Sequence, residues 1–261
     1  MATIENLLRT DFKAVDKHDE VRTVFGWITG DAKDVPLIVD DGKPVGILNE
    51  RALMSRRLEQ KAKLDPYTLM TRALPLNATL EAAAARMREF RAARLPVEDA
   101  RGKLAGYVTA IDIARAQGKG QGQAQGRASD LCLPVRSLEE KQTLGDALHA
   151  FTQEYVDFLP VTNGGGKVTG VLPRSAVLRM ELDSNAGKGR RDAGGEKFHY
   201  LNDAIGGFMD EAPVMLPAAA SFDALLSALE ESGYAIVQKS GANGGILGIA
   251  TPETVLRASP E

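Results

Sequence analysis

Cysteine is almost absent from this chain: Cys132 stands alone among 261 residues, which excludes a disulfide framework and suits a reducing compartment. Set in the apolar stretch Leu131-Cys-Leu133, it reads as a core residue rather than a reactive thiol. Histidine is nearly as scarce. His18, His149 and His199 are scattered, with no Cys, Asp or Glu partner at ligand spacing, so no zinc site is expected. Aromatic residues make up 5%, and Trp27, the one tryptophan, is expected to pack on its helix. Neither sign of charge dominates: 32 basic against 35 acidic side chains leave a formal charge of -3, which gives no field favouring nucleic acid or an anionic membrane. No apolar run approaches the roughly 20 residues of a membrane-spanning helix. The opening residues lack a signal-peptide pattern, so a cytoplasmic location away from the membrane is expected.

What the chain has is a repeat. From an expected helix cap to a strand proline the distance is 17 in Asp19 to Pro36, Thr79 to Pro96 and Thr143 to Pro160. From that proline to a strand glycine it is 10 in Pro36 to Gly46, Pro96 to Gly106 and Pro160 to Gly170. Finding such a period precedes any other inference about fold. In the second copy, Thr79 is placed to cap a helix whose apolar residues, Leu80, Ala83, Ala84, Met87 and Phe90, share one face. Leu95 to Val97 and Leu104 to Val108 then read as strands around the turn Asp99 to Gly102, and a helix starts near Ala110. The unit is strand, helix, strand, strand, helix. The first copy uses Asp19 as cap and an Asp40 to Gly42 turn; the third uses Thr143 and an Asn163 to Gly166 turn. The fourth is looser, with Ala235 in place of proline, 14 residues after Ser221, and Gly248 following 13 later.

The run Leu95-Pro96-Val97, a turn, then Gly106-Tyr-Val-Thr109-Ala-Ile-Asp112 resembles the cystathionine-beta-synthase (CBS) domain, whose second strand ends Gly-h-h-Thr/Ser-x-x-Asp (h apolar). The resemblance covers about residues 4–116 and 128–257. It implies an α/β (α+β) fold of four CBS repeats in two tandem (Bateman-type) pairs, which in that family can form a flat pseudo-fourfold disc. The first pair spans 1–116, with repeats at about 4–58 and 66–116; the second spans 128–261, with repeats at about 128–182 and 200–257. Between the pairs, 117–127 has the Gly/Gln composition of a linker, and 183–198 reads as a mobile surface loop.

Thr109 and Asp112 form the one constellation with chemistry in view. At a strand-to-helix junction, their hydroxyl and carboxylate project together, and a carboxylate there can accept from both hydroxyls of a ribose. Backbone N–H groups from Ala110 onward would face a phosphate. The structural alternative is that Thr109 caps the helix and Asp112 completes a capping box. The other copies depart from the pattern at these two positions: Asn49 and Ala52 give an amide and no carboxylate, Pro173 and Ala176 give neither group, and Thr251 and Thr254 keep only the hydroxyl. One family-like site, in the first pair, is therefore expected. The resemblance further implies that backbone groups at Arg94, Leu95 and Pro96 bind adenine, with Arg72 and Ala73 entering from the segment ahead. Arg94 or Arg72 would suit a phosphate.

Gly164-Gly-Gly-Lys167 lacks the spacing of a phosphate-binding loop and reads as a hairpin turn. No nucleophile has an identifiable base, and no second carboxylate pairs with Asp112, so an enzyme is not expected. The leading expectation is a regulatory, energy-sensing module that binds an adenosyl nucleotide (AMP, ADP, ATP, an S-adenosyl compound, NAD or a cyclic dinucleotide). It would act through an unknown protein partner or as a homodimer. The alternative is a ligand-free oligomerisation scaffold.

Overall fold

The fold is described from a computed structural model in residues 2–28, 36–55, 61–121, 126–154, 156–186, 199–239 and 245–256. In the first repeat β1 (Ala14–Asp16) leads through a 3-10 turn, Val21–Val24, into α1 (Phe25–Ile28), then β2 (Leu37–Asp40), β3 (Lys43–Leu48) and α2 (Glu50–Ser55). A two-residue strand, β4 (Thr68–Leu69), precedes the second repeat. That repeat holds β5 (Leu74–Pro75), α3 (Leu80–Phe90), β6 (Arg94–Glu98), β7 (Leu104–Thr109) and α4 (Ala110–Gln121). After the short α5 (Ala128–Leu131), the third comprises β8 (Leu138–Glu139), α6 (Leu144–Gln153), β9 (Phe158–Thr162), β10 (Val168–Pro173) and α7 (Arg174–Ala186). The fourth has β11 (Met215–Pro217), α8 (Phe222–Ser232), β12 (Ala235–Gln238) and β13 (Ile246–Ala250).

Every repeat builds the same sheet: a first strand parallel to the second, and the second antiparallel to the third. The proline shared by the first three repeats has a reason in this register. Parallel pairing begins at Leu37, Val97 and Val161, each one residue after Pro36, Pro96 or Pro160, so the residue without an N–H sits where the strand has a partner on one side only. Ala235 takes that place in the fourth repeat, where pairing begins at Ile236.

The invariant glycine has an equally local cause. A Cβ at Gly106 would lie 2.2 Å from the carbonyl oxygen of Arg9, one at Gly46 2.0 Å from that of Leu69, one at Gly170 2.7 Å from that of Asp210, and one at Gly248 2.3 Å from that of Leu133. Each third strand thus receives, at its glycine, the segment that leads into the other repeat of its pair. The exchange is reciprocal between repeats one and two, and between three and four.

Helix starts agree with expectation in three copies. Thr79, Thr143 and Ser221 accept from the backbone N of Ala82, Asp146 and Ala224 at 3.1, 3.2 and 3.3 Å. The first copy differs. Asp19 turns its carboxylate back to the N–H of Asp16, the cap position falls on Glu20 with no side-chain bond, and the helix starts as a tight 3-10 turn. Helix α4 also runs on through Gly118 and Gly120 to Gln121, so the first five residues of the Gly/Gln-rich segment are helical; 122–125 lie outside the described residues. The expected loop at 183–198 begins inside α7, and its remainder from 187 lies outside them too.

Sheets join repeats within a pair, whereas helices join repeats across pairs. One core cluster combines Val21, Val24 and Leu53 of repeat one with Leu144, Phe151 and Leu178 of repeat three. The other combines Leu80, Met87 and Ile113 of repeat two with Leu225, Leu229 and Leu256 of repeat four. The four units therefore close in the order one, two, four, three.

Candidate functional site

Closure in that order encloses a cavity of about 960 Å³. Three strand-to-helix junctions border it: Asn49 to Arg51, Pro173 to Ala176, and Thr251 to Thr254. The start of the second strand contributes Ala92 to Arg94 from repeat two, Val156 to Phe158 from repeat three and Ser232-Gly233 from repeat four. Trp27 also lies on the wall, and Lys13 stands 5.5 Å over its ring. Phe158 and Tyr234, with ring centroids 4.6 Å apart, join the two repeats of the second pair beside it.

The charged centre of the cavity is Arg174, the first residue of α7, whose side chain is 8% exposed. Its guanidinium meets Glu50 of repeat one at 3.1 Å and Asp157 of its own repeat, and its backbone N–H bonds the Asp157 carbonyl at 2.7 Å. Burial alone would lower its pKa, but Asp157 and Glu50 outweigh that and hold it raised. Glu253, from repeat four, completes the group. Its side chain is pushed up to about 7 by burial first, with Asp157 adding to the effect. Glu253 is part-exposed and lines the cavity. Arg51 reaches from α2 to the carbonyls of Phe151 and Glu154, a second tie between repeats one and three.

Thr109 and Asp112 stand together at the β7–α4 junction, outside the residues lining the cavity. The Thr109 hydroxyl donates to Asp112 Oδ2 at 2.6 Å and accepts from the Asp112 N–H at 3.2 Å. The cap half of the structural alternative is therefore present, but the carboxylate bonds the hydroxyl rather than the Thr109 backbone. It is also held by a residue that sequence reading did not bring forward. Arg9 donates from Nε to Oδ2 at 2.7 Å and from Nη2 to Oδ1 at 2.9 Å.

The remaining predicted residues divide. Arg94 pairs with Thr109 across the β6–β7 ladder, borders the cavity and lies 5.5 Å over the Tyr107 ring. Leu95 and Pro96 are buried in β6. The N–H of Ala110 is taken by the carbonyl of Ala93 at 2.8 Å, so it does not face a ligand. Arg72 is exposed with a left-handed φ of 56°, and neither it nor Ala73 lines the cavity. Asn49 caps α2 through the N–H of Ala52 at 3.2 Å, and Thr251 and Thr254 bond one another. Cys132 is half-buried, and burial pushes its thiol up, in keeping with an inert packing role. Among the described residues no cluster of His, Cys, Asp and Glu could hold a metal ion, and no helix is long and apolar enough to cross a membrane.

A family profile described as the CBS domain matches residues 68–119 and 128–183, which fall on repeats two and three. A solved structure from Methanocaldococcus jannaschii, described as that of a proposed archaeal homologue of γ-AMPK, has TM-score 0.79 and 14% identity over 98% of this chain and 99% of that one. An uncharacterised conserved protein from Pyrococcus horikoshii has TM-score 0.61 and 19% identity over 98% of each chain. That likeness establishes the fold. No curated protein matches the sequence.

Proposed function

We propose that the chain, whose second and third repeats match the CBS domain, is a non-catalytic regulatory module. Its ligand is an adenosyl nucleotide of the AMP, ADP or ATP type, held in the first pair, with the ribose on Thr109 and Asp112 and the base along the strand start at Arg94 to Pro96. One observation carries this reading: the β6–β7 register sets Arg94 opposite Thr109. The base-binding edge and the ribose-binding junction are thereby neighbours, and the same strand start opens on the central cavity. A ligand seated there touches elements of more than one repeat. Occupancy then favours whichever arrangement of the repeats binds it more tightly, and a protein partner or a second copy of the chain reads the shift.

A scaffold without a physiological ligand has one observation in its favour, the ion pair that already occupies Asp112. Calorimetry with AMP, ADP, ATP, NAD and S-adenosyl compounds separates the two readings. The nucleotide reading predicts saturable binding of at least one compound, lost in Asp112→Ala. The scaffold reading predicts no binding heat from any of them.

A further inference from the structure

Asp112 already accepts three hydrogen bonds from within the chain. Its Oδ2 accepts from Arg9 Nε and from the Thr109 hydroxyl, and its Oδ1 accepts from Arg9 Nη2. A ribose diol brings two donors of its own to a carboxylate, and both oxygens are already committed to a bidentate guanidinium. Of roughly four acceptor sites on a carboxylate one is left, fewer than the diol needs, so the two occupants compete for the group.

The surroundings offer the guanidinium somewhere else to go. Glu230 on α8 lies 3.8 Å from Arg9 Nη2, and Arg115 on α4 fixes Glu230 in place at 2.8 Å. The Arg9 side chain is 37% exposed against 14% for Asp112, so its departure strips little further solvation from the cation. Its backbone, in contrast, is pinned. The N–H and carbonyl of Arg9 pair with Tyr107 at 2.8 and 3.0 Å, over Gly106, where a side chain has no room. The change is therefore a side-chain rotation on a fixed segment.

We propose that Arg9 is a built-in competitor for the ribose site of repeat two: the nucleotide gains Asp112 only as the guanidinium moves to Glu230. The proposal rests on the nucleotide reading above and adds its regulation. In the unliganded chain Arg9 neutralises a carboxylate that would otherwise lie mostly buried and unpaired. In the liganded chain the same cation strengthens the contact of the first pair with α8 of repeat four. Occupancy of one pair is thereby passed to the other by a single residue.

The test is calorimetry on the full chain with AMP and ATP as probes, comparing the unaltered protein with Arg9→Gln, Asp112→Asn and the double variant. Glutamine keeps the backbone pairing and cannot form the bidentate ion pair. If Arg9 closes the site in about nine molecules of ten, removing it tightens apparent binding about tenfold. Asp112→Asn then weakens binding in both backgrounds. Equal or weaker binding by Arg9→Gln, with Asp112 still required, overturns the competitor role and leaves the nucleotide site standing. Absence of binding in both the unaltered protein and Arg9→Gln overturns the two together. Unliganded melting curves of each variant identify a loss of folding.

Discussion

At Asp112 one residue serves a helix start, an ion pair and, by proposal, a sugar. Its hydroxyl neighbour was legible in the sequence because Thr109 lies three residues away, the distance at which a junction brings side chains together. Arg9 was not legible, since its approach depends on a chain reversal 103 residues long. Because Arg9 is more than a third exposed, Asp112→Asn is expected to cost only about 1 kcal/mol, or about 2–4 °C of melting temperature. The same variant should lose about ten- to a hundredfold in nucleotide affinity. A melting loss well beyond ten degrees would instead make the carboxylate a folding determinant. Glu253 yields a pH prediction. Below its ordinary value of 4.5 the group is protonated both folded and unfolded, whereas between 4.5 and about 7 only the folded chain keeps the proton. The folded state then binds more protons, so this group's contribution to stability falls as pH rises through that window. Urea titrations at pH 5 and pH 8 should show the fall, and Glu253→Gln should flatten it.

Elements were legible where their signals are local. The caps Thr79, Thr143 and Ser221 and the turns at Asp99 and Asn163 behave as their residue types require: Asp99 accepts from the N–H groups of Arg101 and Lys103, and Asn163 from those of Gly165 and Lys167. Thr79→Ala should cost about 1 kcal/mol, measured by thermal or urea melting. The first helix was misread at its start because Asp19 has two uses for its carboxylate, and the preceding turn claims it. The extent of α4 was misread because glycine composition argues for a linker, while two glycines in a helix cost only about 1 kcal/mol each against alanine and packing can offset that. The spacing of ten to Gly106 was visible, yet its cause, the carbonyl of Arg9, belongs to another part of the chain. Gly106→Ala must push that backbone away and is expected to destabilise by about 2–4 kcal/mol, well above the effect of an ordinary surface substitution.

For the whole molecule, four repeats could be counted in advance, but the order in which they pack could not. Every amphipathic helix presents a similar apolar face, so nothing in the pattern says that repeat one meets three and repeat two meets four. Nor did the departures at Pro173 to Ala176 and Thr251 to Thr254 announce that they converge on one cavity with Asn49 to Arg51. Arg174 is the charge at that convergence. Replacing it by methionine leaves Glu50 and Asp157 without their cation and is expected to cost about 3–5 kcal/mol in chemical denaturation. The most direct test of the central claim is a crystal structure of the full chain with AMP or ATP. The account predicts density for the ribose hydroxyls on the Asp112 carboxylate, the base along Arg94 to Pro96, and the Arg9 guanidinium against Glu230. A crystal in which Arg9 still grips Asp112, with the nucleotide absent or bound elsewhere, would contradict it.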